Sequence, residues 1–285
     1  MKQILSINGG GVKGIGAVRV LHLLNRDGVN PSLYFDGFAG TSTGAIIATA
    51  LACGRPTFEI VEAYHKLAKS IFKKKNFLPI TSKYKNTNLK KQLKEFFGEL
   101  TFGDLEKPLY LGYYDLDMES PRVYDRVGNS DKLLWEAVLV SCSAPTFFPP
   151  VNGRYVDGGL LLQNPSMVAV GGYMRECRCG MGDISLTSID TDGHRSIKHK
   201  KSRFNILYWL GKLTKVATKG SENLVVFQCR TFPLGGYLYL SPKIEKTYPM
   251  DNVKIMGEYD QLWHSYYSSN RDYILNKIRG GQKCL

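Results

Sequence analysis

The sequence predicts an α/β fold, in which a largely parallel sheet carries helices on both faces. Two strand–turn–helix units stand in succession at the start of the chain, and a further buried strand, Ile184–Ile189, ends in Asp190-Thr191-Asp192-Gly193. Strands joined through helices must run parallel, with right-handed crossovers that put helices on both sides. In the first unit Ile4–Ile7 reads as a strand, Asn8-Gly9-Gly10-Gly11 as a turn, and Ala17, Val18, Val20, Leu21, Leu23 and Leu24 as a helix stopping before Gly28. In the second, the aromatic run 33–39 reads as a strand, Gly40-Thr41-Ser42-Thr43-Gly44 as a sharp turn, and the alanine-rich run 45–52 as a packed helix.

Further along, residues 58–100 have a helical pattern interrupted by Pro79 and by lysines, which reads as an insertion over the core. Residues 108–114 and 121–124 are strand-like, 131–140 helical, and 154–156 a short strand entering Asp157-Gly158-Gly159. The tail 253–278 repeats Ile255, Tyr259, Leu262, Tyr266 and Tyr273 at helical spacing before Gly280 and Gly281. No repeat or linker divides the chain, so the expectation is a single domain over 1–285. Its motif-bearing core covers about 3–192, and a C-terminal helical extension covers about 203–285.

With 285 residues, 43% of them hydrophobic, the chain has material for a large core. The N-terminus turns to glycine too early for a signal-peptide apolar region, and no apolar run is long enough to span a bilayer. The six cysteines show no C-x-x-C pair, which predicts free thiols in a reducing cytoplasm and no metal site. The net charge of +13 calls for an anionic partner: nucleic acid, phospholipid head groups or a phosphorylated ligand. It is concentrated in Lys66–Lys94 and in Arg195–Arg203. The first stretch interleaves its lysines with Ile71, Phe72, Phe77, Leu78, Phe96 and Phe97, as an anionic-lipid docking segment, a lid or a packed helical hairpin would.

Three motifs carry chemistry. A serine between glycines on a strand-to-helix turn projects its hydroxyl off the sheet, which makes Ser42 a candidate nucleophile and Gly40 and Gly44 the residues that admit the turn. Gly9-Gly10-Gly11-Val12-Lys13-Gly14 fits two chemistries. It is a dinucleotide fingerprint, with Asp36 where a ribose-binding acid is expected, and it is also an oxyanion hole built from the Gly9, Gly10 and Gly11 amides. A hydrolase explains both glycine loops; a dehydrogenase leaves the second unexplained. None of His22, His65, His194, His199 and His264 adjoins a turn that would present it to Ser42. Asp157, between a short strand and Gly158-Gly159, is the better base, although Asp-Gly is also a common hairpin turn.

Taken together and in this order, Gly9–Gly14, Gly40–Gly44 and Asp157–Gly159 resemble the patatin-like phospholipase family. The segment from Ser141 to Pro150, small residues followed by Ala144-Pro145-Thr146 and aromatic-proline, agrees with it. The resemblance implies a three-layer α/β/α sandwich with a mostly parallel central sheet and a serine nucleophile elbow. It implies a Ser-Asp dyad without histidine or metal: Ser42 attacks a phospholipid acyl ester, Asp157 takes its proton, and the Gly9–Gly11 amides hold the oxyanion. Asn8 departs from the aspartate common before the triple glycine, and is expected to hydrogen-bond the loop in its place. Lys13 matches the basic position, as a phosphate ligand or as an anchor for the loop.

The family includes compact bacterial antiphage phospholipase effectors activated by cyclic dinucleotides, which the basic clusters and aromatic residues here would suit. The resemblance thus implies a cytoplasmic enzyme without cofactor, acting peripherally at the inner membrane surface. Its partners would be phospholipid, a cyclic dinucleotide activator and further copies of the chain. Two other readings stand beside it: a lipid esterase with different or no regulation, and a catalytically silent patatin-fold binding protein. Direct DNA or RNA binding has only charge in its favour and is not expected.

Overall fold

The computed structural model describes residues 1–72, 81–194, 213–246 and 248–280. Seven strands form one mixed sheet: β1 (Lys2–Ile7), β2 (Gly37–Thr41), β3 (Leu109–Asp115), β4 (Ser120–Tyr124), β5 (Tyr155–Asp157), β6 (Ile184–Ile189) and β7 (Gly236–Leu240). The order is β4-β3-β2-β1-β6-β7, with β5 also on β3. All pairings from β3 to β7 along this path are parallel; β4 and β5 run antiparallel to β3.

Alternation in the strands explains the layers. On β1, Leu5 and Ile7 enter one core while Ile4 enters the other, because successive side chains leave opposite faces. The larger core is closed by α1 (Ile15–Arg26), α3 (Thr43–Ala52), α4 (Thr57–Ile71), α5 (Thr87–Phe97), α7 (Leu134–Ser141) and α10 (Met256–Gly280). The smaller core lies under α8 (Ser166–Cys177) and α9 (Leu213–Thr231). The protein is therefore an α/β/α sandwich around a mostly parallel sheet.

Two short helices complete the set of α-helices among the described residues, α2 (Pro31–Tyr34) and α6 (Arg126–Asn129). The first corrects the expectation of a strand over 33–39. The Asn30 side chain accepts the Ser32 N–H at 3.1 Å, and Pro31 at the first helical position presets a turn, so β2 starts only at Gly37. The C-terminal region is not purely helical either: β7 extends the central sheet, with Leu238 and Leu240 in the large core and Tyr237 against the small one.

Within the lysine-rich stretch, Ile71 and Phe97 are buried, and Phe72 packs its ring on Tyr84 and Phe148. These apolar residues build the core of a helical hairpin; Phe77 and Leu78 lie outside the described residues. So does the basic cluster Arg195–Arg203, and so does Gly281. The described cysteines Cys53, Cys142, Cys177, Cys179 and Cys229 are free thiols. Among the described residues no helix is long and apolar enough to cross a membrane.

Candidate active site

Parallel strands bring their C-terminal ends to one edge, and loops following them meet there. Ile7, the last residue of β1, lies opposite Gly40 on β2 and Ile189 on β6. The glycine loop, the serine turn and the Asp190–Asp192 loop thus emerge side by side.

Ser42 occupies the single step between β2 and α3 and adopts φ 56°, ψ −127°. This left-handed backbone is costly for a residue with a β-carbon, typically about 1–3 kcal/mol, and persists only where surroundings impose it. Here they do. The Ser42 N–H donates to the Ser141 hydroxyl at 3.1 Å, the Ser141 hydroxyl donates to the Gly112 carbonyl at 2.7 Å, and the Cys142 thiol donates to the Ser42 carbonyl at 3.0 Å. Close packing fixes the turn as well: a β-carbon on Gly44 would lie 2.2 Å from the Ile7 carbonyl oxygen, and one on Gly40 2.3 Å from that of Gly44. The Ser42 side chain does not cap α3, although it stands at the helix N-cap. It acts instead on the buried Asp157 carboxyl, whose pKa it lowers.

Asp157 ends β5, and its N–H is held by the Ser143 carbonyl at 3.0 Å. Residues 141–143 therefore grip the main chain of both Ser42 and Asp157, and small side chains let them enter that space. Burial pushes the Asp157 carboxyl up to about 7, while the Ser42 side chain and a hydrogen bond from the Gly159 N–H, at 2.7 Å, pull it back. Gly158 packs tightly on the Gly112 backbone behind it.

The glycine loop leaves β1 as a short 3-10 turn, Gly11–Gly14, leading into α1. Gly11 takes φ 59° and has no room for a β-carbon against Met250. The Gly9 N–H is already given to the Gln163 carbonyl at 3.3 Å, and the Gln163 side-chain amide donates to the Gly9 carbonyl at 2.6 Å. Of the three loop amides the Gly9 N–H is thus engaged, whereas those of Gly10 and Gly11 make no main-chain hydrogen bond among the described residues. Thr191 hydrogen-bonds the Gly9 carbonyl, Tyr64 hydrogen-bonds the Gly11 carbonyl, and the Met250 carbonyl accepts from Val12 at 2.8 Å. Gly14 packs under the Tyr64 hydroxyl.

Lys13 is buried, and its ammonium pairs with Asp192 in the loop after β6, so it anchors the glycine loop and does not face solvent. Asn8 is fully buried, but neither polar atom of its side chain has a hydrogen-bond partner among the described residues. The expected bond from Asn8 to the loop is not made; Gln163 and Thr191 hold the loop instead. Asp36 accepts the Gln3 N–H at 2.7 Å near the start of β1, at the opposite end of the strand from the glycine loop. A ribose on that loop would be out of its reach, at about 3.3 Å per strand residue.

A glycine turn, a strained serine elbow and a buried aspartate meeting at the strand ends define the class: an α/β protein with a nucleophile elbow. The profile of the patatin-like phospholipase family matches residues 5–170, and the chain belongs to that family. A Vibrio cholerae protein named cGAMP-activated phospholipase is 28% identical over 229 residues, covering 67% of this chain and 64% of its own length. The 85/88 kDa calcium-independent phospholipase A2 of Rattus norvegicus is 31% identical over 194 residues, 59% of this chain and 23% of that protein. An intracellular phospholipase A2 of Caenorhabditis elegans is 30% identical over 309 residues, covering 95% of this chain and 28% of its own length. The chain thus spans less than two thirds of each of these relatives.

Proposed function

We propose that the protein is a serine lipid acyl hydrolase of phospholipase A type, acting through Ser42 and Asp157. The observation that carries this reading is the strained backbone that presents Ser42 toward a buried carboxylate, Asp157, whose pKa burial raises to about 7 and which the Ser42 side chain pulls back down. A general base is most effective when its pKa lies near the working pH, and this one does. Ser42 Oγ attacks the ester carbonyl carbon while its proton passes to Asp157. The tetrahedral oxyanion accepts the Gly10 and Gly11 amides, and the N-terminus of α3 adds a favourable dipole. Collapse expels the lysolipid alcohol, which takes the proton back from Asp157. Water, deprotonated by the same carboxylate, then releases the fatty acid from Ser42.

Membership of the family supports phospholipid as substrate and action at a membrane surface. The printed name of the Vibrio cholerae relative supports a cyclic dinucleotide as activator, and with it a role in antiviral defence. Release of fatty acid from phosphatidylglycerol vesicles, and labelling by a fluorophosphonate, test the chemistry. Both are expected of the wild type and lost in Ser42→Ala. Equal labelling of the two proteins would overturn the assignment. Adding cyclic dinucleotides to the purified wild type tests the control: a rate unchanged by every one of them ends the activator reading and leaves the dyad standing.

A further inference from the structure

The peptide between Gly11 and Val12 is gripped at both ends. Its carbonyl, that of Gly11, accepts the Tyr64 hydroxyl from α4, and its N–H, that of Val12, donates to the Met250 carbonyl at 2.8 Å. A planar trans peptide points these two groups in opposite directions, so separate elements holding one each keep it from turning over. The hold matters at this position. Gly10 and Gly11 carry no β-carbon, and Gly11 sits at φ 59°, so little within the loop itself resists rotation of the peptide planes. Only the two torsions of Gly11 separate the gripped peptide from the Gly11 N–H, the oxyanion donor proposed above.

Met250 is held in its turn. Residues 249–252 form a tight turn, closed by the Asn252 N–H on the Pro249 carbonyl at 3.4 Å. Within it the Asp251 carboxylate, 10% exposed, accepts from the Lys83 ammonium and from the Tyr84 hydroxyl, the latter at 2.8 Å. The Tyr84 ring is buried against Phe72 and Phe148. The main chain of the same two residues docks on the segment that follows Ser143. The Lys83 N–H donates to the Thr146 carbonyl at 2.9 Å, and the Tyr84 N–H to the Phe147 carbonyl at 2.8 Å. Residues 141–143 grip the main chain of Ser42 and Asp157, so one carboxylate joins the glycine loop to the segment that holds nucleophile and base. A carboxylate this buried is tolerated only when paired and hydrogen-bonded, and here its pairing fixes the turn that carries Met250.

We infer that Asp251 is a positioning residue for the oxyanion loop: through Met250 it holds the Gly11–Val12 peptide, and with it the Gly11 amide, in the orientation that meets the developing oxyanion. This rests on the hydrolase reading, and two measurements on the full chain keep the two apart. One is deuterium exchange of the Val12 amide, read by NMR; the other is hydrolysis of p-nitrophenyl butyrate. Asp251→Ala is expected to speed Val12 exchange at least about tenfold. It is also expected to lower kcat at least about tenfold with KM changed less than about twofold, because an oxyanion donor acts on the transition state. Asp251→Asn keeps an oxygen for the Tyr84 hydroxyl and is expected to recover most of both losses. Should Asp251→Ala not fold, Lys83→Met, which removes the more exposed partner, takes its place with smaller changes in the same direction. Val12 exchange unchanged in the variant that folds would overturn the inference. So would a loss of kcat with Val12 still protected, or faster exchange spread evenly along the chain, which would make Asp251 structural only. A wild type that hydrolyses no ester ends the hydrolase reading alone, and Val12 exchange then decides whether Asp251 holds the loop.

Discussion

Gln163 holds Gly9 from both sides of its α-carbon: its main-chain carbonyl accepts the Gly9 N–H at 3.3 Å, and its side-chain amide donates to the Gly9 carbonyl at 2.6 Å. Gln163 lies in the segment that follows Asp157, so one residue ties the base turn to the glycine loop. Gln163→Ala removes only the second bond. We expect kcat to fall about tenfold or more, with KM and the melting temperature little changed, because the loss is one of alignment. Steady-state kinetics on a soluble ester checks this; an equal fall in thermal stability would make Gln163 a merely structural residue.

The pH dependence follows from Asp157. Its reference value is about 3.9, and burial raises it to about 7 in the folded protein. Between those values the folded state keeps a proton that the unfolded chain has released. The stability this group contributes is therefore full below about pH 4 and is lost as pH rises through about 7. Catalysis runs the other way, since the base must be ionised, and kcat/KM is expected to climb through about pH 7 and then level off. Asp157→Asn should abolish turnover yet raise stability above pH 7 by about 2–4 kcal/mol. Thermal melts at acidic and alkaline pH read this directly: a stability difference that does not grow with pH would contradict it.

Lys13 and Asp192 predict an asymmetric mutational response. Asp192→Ala removes the carboxylate that pairs with the buried Lys13 ammonium beneath the glycine loop and should cost about 3–5 kcal/mol. Replacing both, as Lys13→Met with Asp192→Leu, should recover much of that loss. A double-mutant cycle by urea denaturation measures the coupling; additive losses would show that the two side chains act independently.

Gly44 is predicted to be intolerant of any side chain. A β-carbon there meets the Ile7 carbonyl oxygen at 2.2 Å, and neither side is a flexible side chain that can yield. Gly44→Ala should lower the melting temperature sharply or prevent folding, whereas Gly54→Ala, where a β-carbon meets nothing nearby, should change it far less despite φ 71°. Similar melting temperatures for the two variants would refute the steric account.

The serine turn was legible because its signal is local: apolar strand, glycine-flanked serine, alanine-rich helix. Asp157 was legible as a candidate on weaker grounds, a strand end before two glycines. The roles of Ser141, Gln163, Thr191 and Met250 were not, since each acts through hydrogen bonds to main chain far away in sequence, and no residue type announces that. Residues 33–36 were read as the start of a strand because their aromatic residues obscured the helix that Asn30-Pro31 begins. In β7 the alternation of tyrosine with leucine hid a strand, both types being apolar enough to read as neither face.

By itself, then, the sequence determined the α/β class, the strand-to-helix turn at Ser42, and the glycine loop, because backbone conformation and hydrophobic alternation are written within a few residues of where they act. Tertiary structure alone decided that Gln163 engages the Gly9 amide, that Lys13 turns inward to Asp192, that the Asn8 side chain has no partner among the described residues, and how far the Asp157 carboxyl is raised. Hydrogen-bond partners and burial depend on which distant segments come together, and that is a property of the folded chain.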